Sequence, residues 1–251
     1  MGTLRYVAIG DSFTEGVGDE LPDGRVRGWA DLVAEGWAAS GADVEYANFA
    51  IRGKLVQPIV DEQLEPALAL RPTHLSFNGG GNDMLRPRTS VSRVVAAFEH
   101  VLRRCDEEGV QLIVLSGANP SGQLPLRRVI QRRGDLLSAA VSAALADRPD
   151  VVRAFNWPDR ELSSPPYWSE DRLHMNSRGH HRVAARVLTS LGVEPPAAWW
   201  SLPPLPDVGA RGTAYYREHV GPWIQRRLTG TSSGDGRHPK YAAWTRLDSA
   251  G

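Results

Sequence analysis

The stretch LRYVAIGDSF, residues 4–13, begins as a run of mostly apolar residues and ends abruptly on Gly-Asp-Ser. A continuous apolar run, rather than one that alternates with polar residues, is typical of a strand that is covered on both faces of a sheet. Small polar residues at the end of such a strand can form a structural turn. They can also hold a hydroxyl group at the mouth of a cleft, and the rest of the sequence must distinguish these two interpretations.

Four further apolar runs of strand length follow the first one, and segments with helical periodicity separate them. Strand and helix therefore alternate, which predicts parallel strands joined by right-handed crossovers. The expected fold class is α/β, a three-layer α/β/α domain with a central parallel sheet of about five strands. The predicted strands lie at residues 4–10, 44–50, 74–80, 111–118 and 151–156, and the predicted helices at residues 28–40, 54–70, 90–109, 126–148 and 177–192.

The composition is that of an ordinary globular protein. The 251 residues carry 29 basic and 29 acidic side chains, so no overall field attracts nucleic acid or an anionic membrane. The single cysteine, Cys105, has no partner for an internal disulfide and fits a packed helical position. No apolar stretch is long enough for a signal sequence or a membrane span. We therefore expect a cytoplasmic protein with no membrane insertion and no nucleic-acid partner, whereas the sequence gives no indication of oligomeric state.

The composition changes after residue 193, where EPPAAWWSLPPLP is rich in proline and tryptophan. This change predicts a boundary between a domain at residues 1–193 and an extension at residues 194–251. Within the extension, apolar residues at helical spacing predict one helix at about 210–228. The remaining tail has few apolar residues, and we expect it to wander over the surface or to be mobile.

Four short blocks place polar residues where a predicted strand ends or a loop follows. In an open parallel sheet the carboxyl ends of neighbouring strands lie at one edge, where ligands bind. The first three blocks follow successive strands, so their side chains can converge although about 70 residues separate them. The blocks are GDS at 10–12, NFAIRG at 48–53, GGND at 80–83 and DRLH at 171–174.

These blocks together contain the groups that a serine esterase needs. The hydroxyl of Ser12 is a weak nucleophile until a base removes its proton, and the spacing of Asp171 and His174 lets a carboxylate orient an imidazole. The backbone N–H groups of Ser12 and Gly53 and the side-chain amide of Asn82 can donate hydrogen bonds to the oxyanion that forms on attack. Taken alone, Ser12 could equally cap a helix and Asn82 could form an Asx turn.

The order and spacing of the four blocks resemble the SGNH hydrolase superfamily, also called the GDSL esterases and lipases. The resemblance covers roughly residues 4–192, with Phe13 where the usual first block has leucine. It implies a flavodoxin-like fold, a catalytic triad of Ser12, Asp171 and His174, and an oxyanion hole from Ser12, Gly53 and Asn82. It also implies hydrolysis of small-molecule esters with no cofactor and no metal. We expect short-chain or O-acetyl esters as substrates.

Two other functions use some of the same residues. Asp11, Asn82, Asp83, Asp171 and His174 include the ligand types of a two-metal phosphoesterase, although the Asp-x-His and Gly-His-x-His pairs of that class do not occur. A flavodoxin-like binding module without enzymatic activity is the other alternative. It lacks support because the first loop has no G-x-G-x-x-G and no Walker lysine. An α/β-hydrolase would need a Gly-x-Ser-x-Gly elbow around its nucleophile, and the Ser12 block has Thr14 where that elbow has its second glycine.

Overall fold

The five apolar runs form the parallel part of a single sheet in the computed structural model, which describes residues 2–86, 89–124, 126–201, 203 and 232–247. The strand order is β5-β4-β3-β1-β2, with a sixth strand next to β2. The predicted parallel sheet of about five strands is therefore confirmed. The parallel strands are β1 (Leu4–Ile9), β2 (Val44–Asn48), β3 (His74–Asn78), β4 (Gln111–Ser116) and β5 (Val152–Phe155).

Helices cover both faces of the sheet, which confirms the three-layer α/β/α architecture. Two separate apolar cores result, one under α2 and α8 and the other under α6 and the short helices α3 and α4. The helices are α1 (Ser12–Glu15), α2 (Trp29–Ala39), α3 (Val56–Ile59), α4 (Glu65–Ala69), α5 (Gly81–Met84), α6 (Val91–Glu108), α7 (Arg127–Ala144) and α8 (Ser177–Ser190).

The helix predicted at residues 54–70 is divided into three parts. A π-helical segment, Val60–Leu64, lies between α3 and α4. Pro66 follows directly and has no N–H group to donate to the preceding turn, so the ordinary helical ladder cannot continue through it. The π-helical segment carries Gln63, whose side chain is buried against the end of β1.

The C-terminal segment differs from the sequence prediction. Instead of wandering over the surface, residues Tyr241–Leu247 form strand β6, which pairs antiparallel with β2. The exposed edge of β2 offers unpaired backbone groups, and the aromatic side chains of β6 add packing on both faces of the sheet. Tyr241 contacts Tyr46 at a ring distance of 5.9 Å, and Trp244 packs on the opposite face. The predicted helix at about 210–228 lies outside the described residues, and the boundary at residue 193 stays a prediction.

Candidate active site

The candidate site lies at the carboxyl ends of the strands, where the strand order reverses. The chain passes from β1 to β2 on one side and then to β3 on the other, so the crevice between the β1 and β3 ends is the usual ligand position of such a sheet. Ser12 follows β1 and Asn82 follows β3. Both side chains line one cleft together with His174, although His174 is distant in sequence.

Ser12 is the first residue of α1, and the backbone around it is held in place from two sides. Asp11 caps the helix, since its Oδ1 accepts a hydrogen bond from the Phe13 N–H at 3.1 Å. Gln63 binds both polar groups of Gly10, accepting from its N–H at 2.8 Å and donating to its carbonyl at 3.0 Å. Within the described residues, no hydrogen bond engages the Ser12 hydroxyl or its N–H. The strand end is thus fixed while the hydroxyl remains available in the cleft.

Asp171 and His174 form the shortest polar contact of the cleft. His174 Nδ1 and Asp171 Oδ2 are 2.5 Å apart. The other carboxylate oxygen accepts from the N–H groups of Leu173 and His174, both at 2.9 Å, and from the Ser169 hydroxyl at 2.7 Å. Burial raises the pKa of Asp171, but the hydrogen bonds and charge of His174 and the Ser169 hydroxyl outweigh it and leave this pKa well below the usual range. The carboxylate therefore stays ionised and orients the imidazole.

His180, six residues after His174, connects the fourth block to the first. It lies on α8 and is fully buried. Its Nδ1 accepts from the Trp29 N–H at 3.2 Å, and its Nε2 donates to the Val17 carbonyl at 3.3 Å. Because both ring nitrogens form hydrogen bonds, the position of α8 is fixed relative to the loop that follows α1. The Ser12 block and the His174 block therefore lie at the same cleft.

Asn82 connects the first, second and third blocks. Its Nδ2 donates to Asp11 Oδ2 at 3.2 Å and to the Lys54 carbonyl at 3.0 Å. An amide nitrogen carries two hydrogens, so both are used in this arrangement. A bound oxyanion would have to replace one of these acceptors, and the longer contact, to Asp11, is the one that faces the Ser12 block.

Gly53, the remaining candidate, is placed differently from the other four. It is half-buried in the loop that follows β2 and has a φ of 76°, which disfavours other residues. It is adjacent to Lys54 and hence to Asn82, but it is not part of the cleft lining. A Cβ atom on Gly53 would lie only 2.2 Å from Ser232 Oγ of the C-terminal segment. The structure thus brings Ser12, Asn82 and His174 to the cleft lining. Asp171 is outside the lining but is hydrogen-bonded to His174, whereas Gly53 lies beside the cleft.

From the sequence, Asp11 is a candidate metal ligand, but the structure shows it as a buried residue of the cleft lining. Burial raises the pKa of Asp11 to about 6, while the Phe13 N–H and the charge of His174 lower it. The sequence signal for this role is its position directly before Ser12. Among the described residues, no three His, Cys, Asp or Glu side chains are grouped so that they could hold a metal ion.

Known proteins similar to the chain are ester hydrolases. The model of the GDSL-like lipase/acylhydrolase family matches residues 8–182, a range that contains all five candidate residues. No curated protein matches the sequence. None of the described helices has the length and apolar character that a membrane crossing requires.

Solved structures with the same fold include three esterases of low sequence identity. A lipase from a goat rumen metagenome is 20% identical over 76% of this chain and 99% of its own, with a TM-score of 0.63. The psychrotrophic esterase EstA from Pseudoalteromonas sp. is 15% identical over 75% and 96%, with a TM-score of 0.59. An acetylxylan esterase from Geobacillus stearothermophilus is 19% identical over 78% and 98%, with a TM-score of 0.62. The family match and the shared fold agree with the four sequence blocks, and the chain is an ester-hydrolysing enzyme that belongs to the GDSL-like lipase/acylhydrolase family.

Proposed function

We propose that the protein is a serine esterase in which Ser12, His174 and Asp171 form the catalytic triad. The observation that carries this proposal is the 2.5 Å contact between Asp171 and His174 in the cleft that Ser12 also lines. With Nδ1–H directed at the ionised Asp171, the Nε2 lone pair of the neutral ring is free to accept a proton. An imidazole held in this way serves as the general base for a nearby hydroxyl.

The reaction takes place in two halves. Ser12 Oγ attacks the ester carbonyl carbon while its proton passes to His174 Nε2. The tetrahedral intermediate then expels the alcohol, which takes that proton, and the acyl group remains bonded to Ser12. Water next attacks the acyl-enzyme with His174 again accepting the proton. The bond to Ser12 Oγ then breaks, Ser12 Oγ takes the proton from His174, and the carboxylic acid leaves. Asp171 stays ionised throughout and stabilises the imidazolium that forms in each half.

We further propose that the oxyanion is bound by the Ser12 N–H, the Asn82 amide and the Gly53 N–H. The free Ser12 N–H and the position of Asn82 in the cleft support the first two donors. Gly53 has only its proximity to Asn82 through Lys54 in its favour. A donor that is unengaged before the reaction, such as the Ser12 N–H, stabilises charge at little further cost in reorganisation, whereas Asn82 must exchange its hydrogen bond to Asp11 for one to the oxyanion.

The substrate is proposed to be a small-molecule ester, and short-chain and O-acetyl esters are the expectation from the sequence. Acetylxylan is the substrate named for one solved structure with this fold, and another is named as a lipase. Because the named substrates of these structures differ, the acyl group that the present enzyme accepts must be inferred from its own cleft. The cytoplasmic location stays a prediction.

Replacement of the nucleophile tests the proposal. Ser12→Ala should abolish hydrolysis of p-nitrophenyl esters and prevent covalent labelling by a fluorophosphonate, with an unchanged circular dichroism spectrum. Ser142→Ala is a matched control, because Ser142 is a half-buried serine of α7 that does not line the cleft. Undiminished labelling or hydrolysis by the Ser12→Ala protein would show that another residue is the nucleophile.

A further inference from the structure

The cleft beside Ser12 continues into an apolar cavity between the sheet and the helices α6 and α7. The cleft and this cavity together have a volume of about 130 Å³. The residues deepest in its wall are almost fully buried, as Phe98 and Leu115 show at 3% and 1% exposure. The apolar wall is formed by Phe98, Leu115, Leu137, Val141, Phe155 and Trp157.

Two of the polar side chains along this wall, those of Asn78 and Ser116, are already paired within the protein. The Asn78 amide donates to the Leu115 carbonyl at 3.2 Å. The Ser116 hydroxyl accepts from the N–H groups of Asn156 and Trp157, at 2.8 and 2.9 Å. A polar ligand would therefore lose its hydration without gaining equivalent hydrogen bonds, whereas an apolar ligand would lose only its contact with water.

Trp157 is a rigid part of this wall. Its Nε1 donates to Asp135 Oδ1 at 2.8 Å, which fixes the plane of the ring. Gly134 on α7 allows the ring to lie against the helix, because a Cβ at this position would be only 1.9 Å from the ring. The cavity wall is thus held by a hydrogen bond and a close backbone approach, so the cavity is formed before any ligand binds.

We propose that this cavity binds the acyl chain of the ester and that the enzyme prefers a medium-chain acyl group over acetate. This inference rests on the proposed role of Ser12 as the nucleophile. The acyl group stays bonded to Ser12 after the alcohol has left, so a preformed apolar cavity next to Ser12 suits the acyl chain better than the departing alcohol.

The size of the cleft and cavity sets the expected chain length. Their joint volume of about 130 Å³ is close to the roughly 150 Å³ of an engineered apolar cavity that binds one benzene ring. An acyl chain of about six carbons therefore fits by volume. Acetate would leave the cavity unfilled, which differs from the short-chain or O-acetyl preference expected from the sequence.

A series of p-nitrophenyl esters tests this, because the leaving group is the same in each. Burying a methylene favours binding by up to about fourfold, so kcat/KM should increase at least tenfold from acetate to hexanoate and decrease again at dodecanoate. A kcat/KM that is highest for acetate would overturn the inference. If the wild-type enzyme hydrolysed none of the esters and was not labelled at Ser12, the result would instead contradict the proposed function.

Two isomeric esters distinguish the acyl chain from the alcohol. Ethyl hexanoate and hexyl acetate have the same formula and similar leaving alcohols, but they place the long chain on opposite sides of the ester. We expect ethyl hexanoate to have the higher kcat/KM by at least tenfold. A preference for hexyl acetate would place the alcohol in the cavity and overturn the inference.

Two adjacent positions on α7 provide a matched pair of variants. Ser138 lines the cavity, so Ser138→Leu should fill part of it and lower the ratio of hexanoate to acetate kcat/KM at least tenfold. Ala139 is exposed, so Ala139→Leu should leave this ratio within twofold of the wild-type value. Because the ratio compares two esters in one protein, a change in the amount of folded enzyme does not affect it. An unchanged ratio in Ser138→Leu would show that the chain does not enter the cavity.

Discussion

Asn82 is the residue on which the proposed oxyanion hole depends. In the ground state the ester carbonyl oxygen is nearly neutral, but attack by Ser12 moves it and gives it charge. A donor aimed at the later position therefore strengthens mainly in the transition state. The two hydrogens of the Asn82 amide already point at Asp11 and at the Lys54 carbonyl, so the donor is held between the first and second blocks before a substrate arrives.

Asn82→Ala should therefore lower kcat with little change in KM. Loss of one oxyanion-hole side chain typically costs about 100- to 1,000-fold in kcat, or roughly 2.7 to 4 kcal/mol. The measurement is steady-state kinetics on the best p-nitrophenyl ester, under conditions where the chemical step limits the rate. A tenfold increase in KM at constant kcat would instead identify Asn82 as an ordinary binding contact.

Asn48→Ala is the structural counterpart of that variant. Asn48 is fully buried, donates to the Thr14 carbonyl and the Tyr46 hydroxyl, and accepts from the Ala50 N–H. Its removal leaves buried polar groups without partners, at a cost of about 1 to 3 kcal/mol each. A lower melting temperature should be its main effect.

The sequence predicted that Ser12, Asn82 and His174 would lie in one cleft and that Asp171 would contact His174, but not the hydrogen bonds of Asn82. Ser12, Asn82 and His174 could be predicted because each stands in a short block whose chemistry is recognisable. The contact of Asn82 with Asp11 depends on how two loops pack, 71 residues apart, and no local pattern encodes it. The same applies to Gly53, whose neighbour Ser232 comes from a segment without a recognisable local pattern.

At the scale of secondary-structure elements, α8 is the helix that positions the fourth block. His180 is the buried contact between this helix, the start of α2 and the loop after α1. Burial lowers the pKa of His180 to about 4, even though the nearby Asp19 raises it. The neutral ring is therefore the form that the folded protein requires.

The contribution of His180 to the stability of the fold should consequently decrease on acidification. Between about pH 6.5 and 4 the unfolded chain binds a proton at His180 that the folded chain does not, so this contribution is fully present above the window and is lost as the pH falls through it. The slope contributed by one such group is about 1.4 kcal/mol per pH unit, with a total of roughly 3 kcal/mol. Urea unfolding at several pH values measures it.

His180→Gln removes this titration and should make the dependence of unfolding free energy on pH shallower between pH 6.5 and 4. His238 is exposed, so His238→Gln provides the control and should keep the wild-type slope. If His180→Gln also kept that slope, the folded protein would bind the proton at His180 as readily as the unfolded chain does.

Elements with strong local patterns were predicted well and the others were not. The five parallel strands and the longer helices follow continuous apolar runs and helical spacing, which the sequence displays directly. The π-helical segment Val60–Leu64 and strand β6 have no such pattern. Strand β6 forms because the edge of β2 is available beside it, and that edge exists only once the sheet has assembled.

At the scale of the whole molecule, the C-terminal segment stabilises the region of the first two blocks. This segment lies outside residues 8–182, the range that matches the family model. Lys240 Nζ donates to the Glu15 carbonyl at the end of α1 and to Asp31 Oδ2 on α2, both at 2.6 Å. Glu15 in turn pairs with Arg52, next to Gly53, at 2.6 Å. The partners of Lys240 precede it by more than 200 residues, which is why the sequence alone could not assign it a role.

Lys240→Met should destabilise the protein by about 3 to 5 kcal/mol, the usual cost of removing one partner from a buried ion pair. Burial already raises the pKa of Asp31 despite the opposing charge of Lys240, so the carboxylate would lose its main compensation. Part of the loss should be recovered in the double variant Lys240→Met/Asp31→Asn, which removes the unpaired charge. Chemical unfolding of the full chain, analysed as a double-mutant cycle, gives the coupling between the two residues.

The other lysine of the chain is a matched control for this prediction. Lys54 pairs with Glu62 at 2.6 Å, the same distance as in the Lys240 pair, but the Glu62 side chain is 53% exposed whereas Asp31 is 10% exposed. Solvent screens an exposed pair, so Lys54→Met should cost at most about 1 kcal/mol. The two pairs differ in burial and in the backbone carbonyls of Glu15 and Val26 that Lys240 also binds. If Lys54→Met and Lys240→Met lowered the free energy of unfolding equally, the C-terminal segment would not stabilise α1 and α2 through a buried charge.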